Sequence, residues 1–95
     1  MSLSGATILQ IIPSLGTGGA ERTTIEVAEA LVAAKATALV ASAGGRLEGE
    51  LTRAGAEFIP FDAAGTKTPL RLYGNAGVIS RIISRYRVDL VHARS

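Results

Sequence analysis

Four short apolar segments alternate along the chain with three segments of helical periodicity, and this alternation restricts the fold more than any other feature. A strand, a helix and a next strand in sequence are typical of parallel sheets with right-handed crossovers. We therefore predict an α/β, Rossmann-like parallel sheet of element order βαβαβαβ and strand order 3-2-1-4, with the first two helices on one face and the third on the other. The predicted strands cover residues 7–12, 37–42, 57–61 and 88–92, and the predicted helices cover 20–34, 47–54 and 69–86.

Individual residues support these boundaries. The segment 7–12 is almost continuously apolar, as expected of a strand buried on both faces. Gly55 suits the residue that closes the second helix. Pro60 lacks an N–H group, which favours an edge position or a strand end for the third strand. In the third helix, Ile79, Ile83 and Tyr86 are predicted to lie on the apolar stripe.

Composition limits the class of protein. A chain of 95 residues is enough for one small domain, and the absence of cysteine excludes disulfides and thiolate metal sites. The net charge of +2 is too small to imply nucleic acid as a partner. The sequence shows neither a membrane-spanning segment nor a signal-peptide pattern, so a cytoplasmic location is expected. Peripheral contact with the inner face of the membrane is a further expectation.

The predicted fourth strand would be an uncovered edge, and one face of the sheet would carry a single helix. Residues 7–95 are therefore interpreted as an incomplete Rossmann-like N-terminal domain. Residues 1–6 are interpreted as a leader, compatible with an artificial addition. Because unpaired edge groups invite strand pairing, self-association through this edge is a further prediction.

The turn Gly16-Thr17-Gly18-Gly19 joins the first strand to the first helix. Glycines let a phosphate approach the backbone, where free N–H groups and the helix dipole favour negative charge. The alternative is a tight turn that needs glycine only for its dihedral angles. In the predicted topology this turn meets residues 92–95 at the point where strand order reverses, and ligands of such sheets bind at that point.

Two phosphate-binding motifs fail on this turn. A dinucleotide fingerprint beginning at Gly16 requires glycine where the chain has Glu21, and the acid expected after the second strand is missing from residues 41–43. The Gly-Lys-Ser/Thr of a P-loop is absent as well. These departures argue against NAD binding and ATP hydrolysis.

The chain resembles the opening of GT-B glycosyltransferases of the GT4, or glycosyl transferase group 1, type. The resemblance covers essentially the whole chain after the leader. Its most specific parts are the Gly-Gly-Ala-Glu-Arg segment at the start of the first helix and the segment that contains the fourth strand. The matching segments are Ile11–Leu15, Gly18–Arg22, Leu31–Val32, Gly55–Glu57 and Asp89–Ser95.

This resemblance implies a two-domain enzyme of hexosyltransferase type. Such an enzyme moves a sugar from a nucleotide-sugar donor to a sugar, lipid-linked or other small acceptor, with retention of configuration and without a metal ion or cofactor. The N-terminal part would bind the acceptor, and the missing C-terminal domain would bind the nucleotide, so the 95 residues alone are expected to be inactive. The resemblance places Gly18 and Gly19 near the donor diphosphate and Ser14, Glu21, His92 and Arg94 near the acceptor, and it assigns no catalytic residue.

Two positions depart from the family pattern. Relatives often carry His-x-His at the end of the fourth strand, whereas this chain has His92-Ala93-Arg94. Arginine stays protonated and is unsuited to act as a general base. His92 also has a simpler interpretation, as a residue that caps a strand end. The second departure is Lys35, where relatives often have glycine, and it affects a turn and not the site.

Two alternatives remain from the sequence. The third helix shows a pattern compatible with a membrane-surface patch. Its basic residues Arg71, Arg81, Arg85 and Arg87 flank the apolar residues Leu72, Ile79, Ile82 and Ile83. A buried apolar stripe with a solvated basic flank is the favoured interpretation of the same residues. The second alternative is a standalone flavodoxin-like or Rossmann-like module that binds a phosphate ligand.

Overall fold

All seven predicted elements are present in the computed structural model, which describes residues 3–12, 19–45, 47–60 and 69–93. The four strands form one parallel sheet in the order β3-β2-β1-β4, as predicted. The bounds of β2 and α3 are as predicted, and the other boundaries differ by at most two residues. The elements are β1 (Thr7–Ile11), α1 (Gly19–Ala33), β2 (Thr37–Ser42), α2 (Glu48–Arg53), β3 (Glu57–Pro60), α3 (Pro69–Tyr86) and β4 (Leu90–Ala93).

Strand β1 is an inner strand of the sheet. It pairs with β2 on one side and with β4 on the other. Its last residue, Ile11, lies opposite Ala41 in β2 and Ala93 in β4. Since parallel strands end at the same edge of a sheet, the carboxyl ends of β1 and β4 lie side by side.

The two faces of the sheet carry different helices, as the topology predicted. Alternate residues of β1 enter opposite cores, because successive side chains of a strand point to opposite faces. Ile8 and Ile12 pack in a core with α1 and α2, and Leu9 and Ile11 pack in a second core with α3. The helical members of these cores are Ile25, Ala28, Leu31 and Leu51 on the first face and Ile79, Ile82 and Tyr86 on the second.

The orientation of α3 differs slightly from the predicted stripe. Ile82 is buried, whereas Ile83, which the stripe included, is only half-buried. Ile79, Ile82 and Tyr86 are spaced by three and four residues and so share one side of the helix. Periodicity alone is compatible with either Ile82 or Ile83 on the buried side, and the packing against the sheet buries Ile82.

All three helices end in the same hydrogen-bonded turn, the Schellman motif, and a strand follows each turn within three residues. After α1, Lys35 N donates to Val32 O at 3.0 Å and Ala36 N donates to Leu31 O at 2.9 Å. The residue in the left-handed conformation is Lys35, with a φ of 65°. This explains physically why glycine suits the position.

The turns after α2 and α3 repeat this geometry. Gly55, which was predicted to close α2, has a φ of 94°, and Arg87 after α3 has a φ of 54°. Val88 N then donates to Ile83 O at 3.0 Å. Val88 therefore belongs to the turn, and this is why β4 begins two residues later than predicted.

The edges of the sheet agree with the expectations for Pro60 and for the fourth strand. Pro60 is the last residue of the edge strand β3. Strand β4 forms the opposite edge, where Leu90 is 58% and Val91 38% exposed.

In the segment interpreted as a leader, Gly5 N donates to Lys35 O and Ala6 O accepts from Thr37 N, so these residues bond to the turn after α1. Within the described residues, no helix combines the length and apolarity that crossing a membrane requires.

Candidate functional site

Helix α1 begins at Gly19 beside the carboxyl edge of β1. Gly19 is exposed, and among the described residues beyond its chain neighbours and its own helix backbone, no atom lies within 4 Å of a Cβ atom placed on it. The first N–H groups of a helix have no acceptor within the helix, and its dipole is positive at this end. Gly19 therefore offers an unobstructed backbone approach for an anionic group.

A buried polar contact connects α1 to the sheet. Gln10 Nε2 donates to the main-chain oxygen of Thr24 at 3.2 Å, and both residues are completely buried. Gln10 lies in β1 between Val40 of β2 and His92 of β4. The sequence analysis missed this residue, although a single amide within an apolar strand was a usable signal.

A second polar contact connects β4 to β1. Thr7 N donates to Asp89 Oδ2 at 2.8 Å, and Asp89 N donates to Thr7 O at the same distance. Asp89 thus holds the entrance of β4 against the beginning of β1 through both its side chain and its backbone. Because a one-residue slip would reverse the face of every side chain in β4, this contact helps to determine where His92 lies.

The described candidate residues lie on one face of the sheet. His92 is exposed and pairs in register with Gln10, so its side chain is on the α1 face of the edge strand. Glu21 is half-buried in the first turn of α1, three residues before the sheet-facing Thr24, and so lies on the same side of the helix. The structure therefore brings Gly19, Glu21 and His92 to the α1 face at the carboxyl edge.

The other predicted site residues are Ser14, Gly18 and Arg94, and they lie outside the described residues. In the described segments, no three His, Asp or Glu side chains are grouped as a metal site would require.

Arg22, the last residue of the Gly-Gly-Ala-Glu-Arg segment, faces α2. It forms an ion pair with Glu50 of α2, and the two side chains are 46% and 42% exposed. An exposed pair of this kind contributes little to stability. Together with Ile25, Glu29 and Arg53, the pair lines a surface groove of about 340 Å³ between α1 and α2. The ion pair connects α1 to α2. Glu21 is therefore the charged residue in the first turn of α1 that lies on the side of the candidate site.

The sequence and the fold agree with known proteins in two comparisons. Residues 17–95 match the model of Glycosyltransferase Family 4. The chain belongs to this family. The crystal structure of a glycosyltransferase from Rickettsia africae ESF-5 is similar, with a TM-score of 0.86 and 42% sequence identity over 96% of this chain. No curated protein matches the sequence significantly.

The family membership confirms the resemblance that the Gly-Gly-Ala-Glu-Arg segment and the fourth strand indicated. It favours the glycosyltransferase hypothesis over a standalone flavodoxin-like module. The family 4 chain spans 24% of the length of the Rickettsia structure.

Proposed function

We propose that the full-length protein transfers a sugar, of hexosyl type, from a nucleotide-sugar donor to an acceptor, with retention of configuration and without a metal ion. The carboxyl edge of β1 and β4 would form one wall of the reaction crevice. The observation that carries this proposal is the open approach to Gly19 at the start of α1, on the same face as Glu21 and His92. Family membership supports the class of reaction.

In this proposal Gly18 and Gly19 contact the donor diphosphate. Backbone N–H groups at a helix start stabilise the negative charge that grows on the departing diphosphate, and they need no proton transfer to do so. The exposed position of Gly19, with open space where a side chain would be, suits close approach of a bulky anion.

The acceptor is proposed to bind beside Glu21 and His92, with Ser14 and Arg94 completing the subsite. A carboxylate accepts hydrogen bonds from sugar hydroxyls, and an imidazole both donates and accepts them. The acceptor class proposed is a sugar, a lipid-linked sugar or another small hydroxyl compound. Because the nucleotide would bind to the remaining part of the full-length protein, the 95 residues alone are proposed to be inactive.

The position of the apolar residues of α3 argues against the hypothesis that this helix contacts a membrane. Ile79 and Ile82 pack against the sheet, while Arg81, Arg85 and Arg87 are exposed. This favours the solvated basic flank over an amphipathic membrane patch. A cytoplasmic location, peripheral membrane contact and pairing of the β4 edge with a second copy stay predictions.

Substitution of Gly19 by alanine in the full-length protein tests the proposal. The added methyl group enters open space, so the fold should be retained, but it should hinder approach of the diphosphate to the backbone. Loss of one hydrogen bond to a charged group corresponds to roughly 1.5–3 kcal/mol, so kcat/KM for the nucleotide-sugar should fall about tenfold or more.

Gly77→Ala is the matched control, because Gly77 is an exposed helical glycine of α3 for which, as for Gly19, the described residues place no atom within 4 Å of an added Cβ beyond chain neighbours and helix backbone. It should leave kcat/KM at the wild-type value. Equal kinetic constants for both variants would contradict the proposed role of Gly19, and a folded full-length protein without turnover on a panel of nucleotide-sugars would contradict the proposed function.

A further inference from the structure

Gln10 is an unusual residue for its location. It is completely buried, and its neighbours on the same face of β1 are Ile8 and Ile12. Burial of an amide in an apolar core is unfavourable unless its polar atoms are hydrogen-bonded. Here the amide donates to α1, and no described buried side-chain nitrogen or oxygen lacks a partner. The amide is accommodated, but an apolar side chain would fill the same space without this requirement.

The hydrogen bond adds direction to the packing of α1. Hydrophobic contacts of Ile25 and Ala28 hold the helix on the sheet but depend weakly on its exact axial position. A bond between Gln10 Nε2 and Thr24 O is sensitive to both distance and angle. It therefore restricts sliding and rotation of α1 along β1.

The restricted part of α1 is the part that contributes to the candidate site. Thr24 is five residues after Gly19, which corresponds to about 7.5 Å along a helix axis. Gln10 is also the register partner of His92. One side chain thus lies beside both described parts of the candidate site, the first turns of α1 and the end of β4.

We infer that Gln10 is a positioning residue, which holds the first two turns of α1 over the carboxyl end of β1 and so places Gly19 and Glu21 relative to His92. The inference rests on the proposed function for its kinetic consequence. The structural part, a selective restraint on the first turns of α1, stands without it.

Gln10→Met is the decisive variant, because methionine has a similar volume and lacks the amide. The Thr24 carbonyl keeps its bond within the helix. Hydrogen exchange of the backbone should then accelerate selectively at residues 23–26, by roughly two- to tenfold, as loss of one buried hydrogen bond predicts. Exchange at residues 29–33, which are held by the packing of Ala28 and Leu31, should change less.

Two further variants separate positioning from general stability. Ile8→Val removes one methyl group from the same strand and core, and it should accelerate exchange in both halves of α1 by the same factor. Gln10→Asn keeps the amide on a shorter side chain that does not reach Thr24, and it should repeat the selective effect of Gln10→Met. This second substitution keeps the test valid if the methionine variant does not fold.

Steady-state kinetics of the full-length protein complete the experiment. Gln10→Met should raise the KM for the nucleotide-sugar about two- to tenfold, whereas Ile8→Val should leave the KM of the folded enzyme unchanged. Uniform or unchanged exchange in the Gln10 variants would overturn the inference. Selective exchange with wild-type KM and kcat would overturn the positioning role. A wild-type protein without transferase activity contradicts the proposed function, while the exchange data still decide whether Gln10 restrains α1.

Discussion

Replacement of Lys35 by glycine should make the fold more stable, although it removes a long side chain and adds backbone freedom. Lys35 has a φ of 65° in the turn that closes α1. The two hydrogen bonds of that turn, from Lys35 N to Val32 O and from Ala36 N to Leu31 O, require this conformation. The side chain of Lys35 is exposed, and its Cβ atom makes the left-handed backbone conformation unfavourable. The turn is nevertheless needed, because it leads the chain from α1 into β2.

The magnitude follows from two opposing effects. A residue with a Cβ atom in the left-handed region costs about 1–2 kcal/mol. Glycine relieves that strain but increases the entropy of the unfolded chain by about 0.4–1 kcal/mol. The free energy of unfolding should therefore rise by roughly 0.5–1 kcal/mol, which corresponds to about 2–8 °C in Tm for a domain of this size.

Urea unfolding followed by circular dichroism measures this difference. Arg87→Gly should act in the same direction, because Arg87 occupies the equivalent position after α3 with a φ of 54°. Gly55→Ala provides the reverse control. It adds a Cβ atom to a residue with a φ of 94°, and that atom would lie 3.2 Å from Val32 Cγ1.

Ala33→Gly controls for glycine entropy alone, since Ala33 is the exposed last residue of α1, and it should destabilise by at most about 1 kcal/mol, the cost of glycine in a helix interior. If Lys35→Gly destabilised the chain as much as Ala33→Gly does, the argument from backbone strain would be refuted.

Two further predictions concern contacts between distant segments. Asp89→Ala should destabilise the chain by about 0.5–1.5 kcal/mol in urea unfolding, because Thr7 N loses its side-chain acceptor, whereas Asp89→Asn keeps an acceptor oxygen and should lose less; equal losses would exclude a role for that bond. A hydrogen bond to Glu57 raises the pKa of Tyr86 above its ordinary value of 10.0, so folding favours the protonated phenol. This contribution is complete below pH 10 or so and declines as the pH rises through the raised pKa. Tyr86→Phe should therefore lose less stability than the wild type when the pH is raised. In absorbance measurements of tyrosinate, the group that titrates at higher pH should be missing from Tyr86→Phe but present in Tyr73→Phe. An unchanged titration in Tyr86→Phe would contradict the assignment.

Most of the fold was predictable because it depends on local patterns. The apolar run in residues 7–12, the helical stripe after Gly19 and the closing Gly55 each report on a few neighbouring residues, and together they gave the element order and the sheet topology. The topology in turn placed Gly19, Glu21 and His92 at one edge, since parallel strands end on the same side. Chain order thus predicts that these residues lie at one edge without knowledge of any side-chain contact.

The tertiary structure decided the polar contacts between elements that are distant in the sequence. Gln10 and Thr24 are 14 residues apart, Arg22 and Glu50 are 28 apart, and Thr7 and Asp89 are 82 apart. No periodic pattern couples such positions, because a hydrogen bond between elements depends on their relative translation and rotation. The sequence by itself therefore determined which elements form and in what order they pack, while the packed structure alone determined that Gln10 and Asp89 attach α1 and β4 to the two ends of β1.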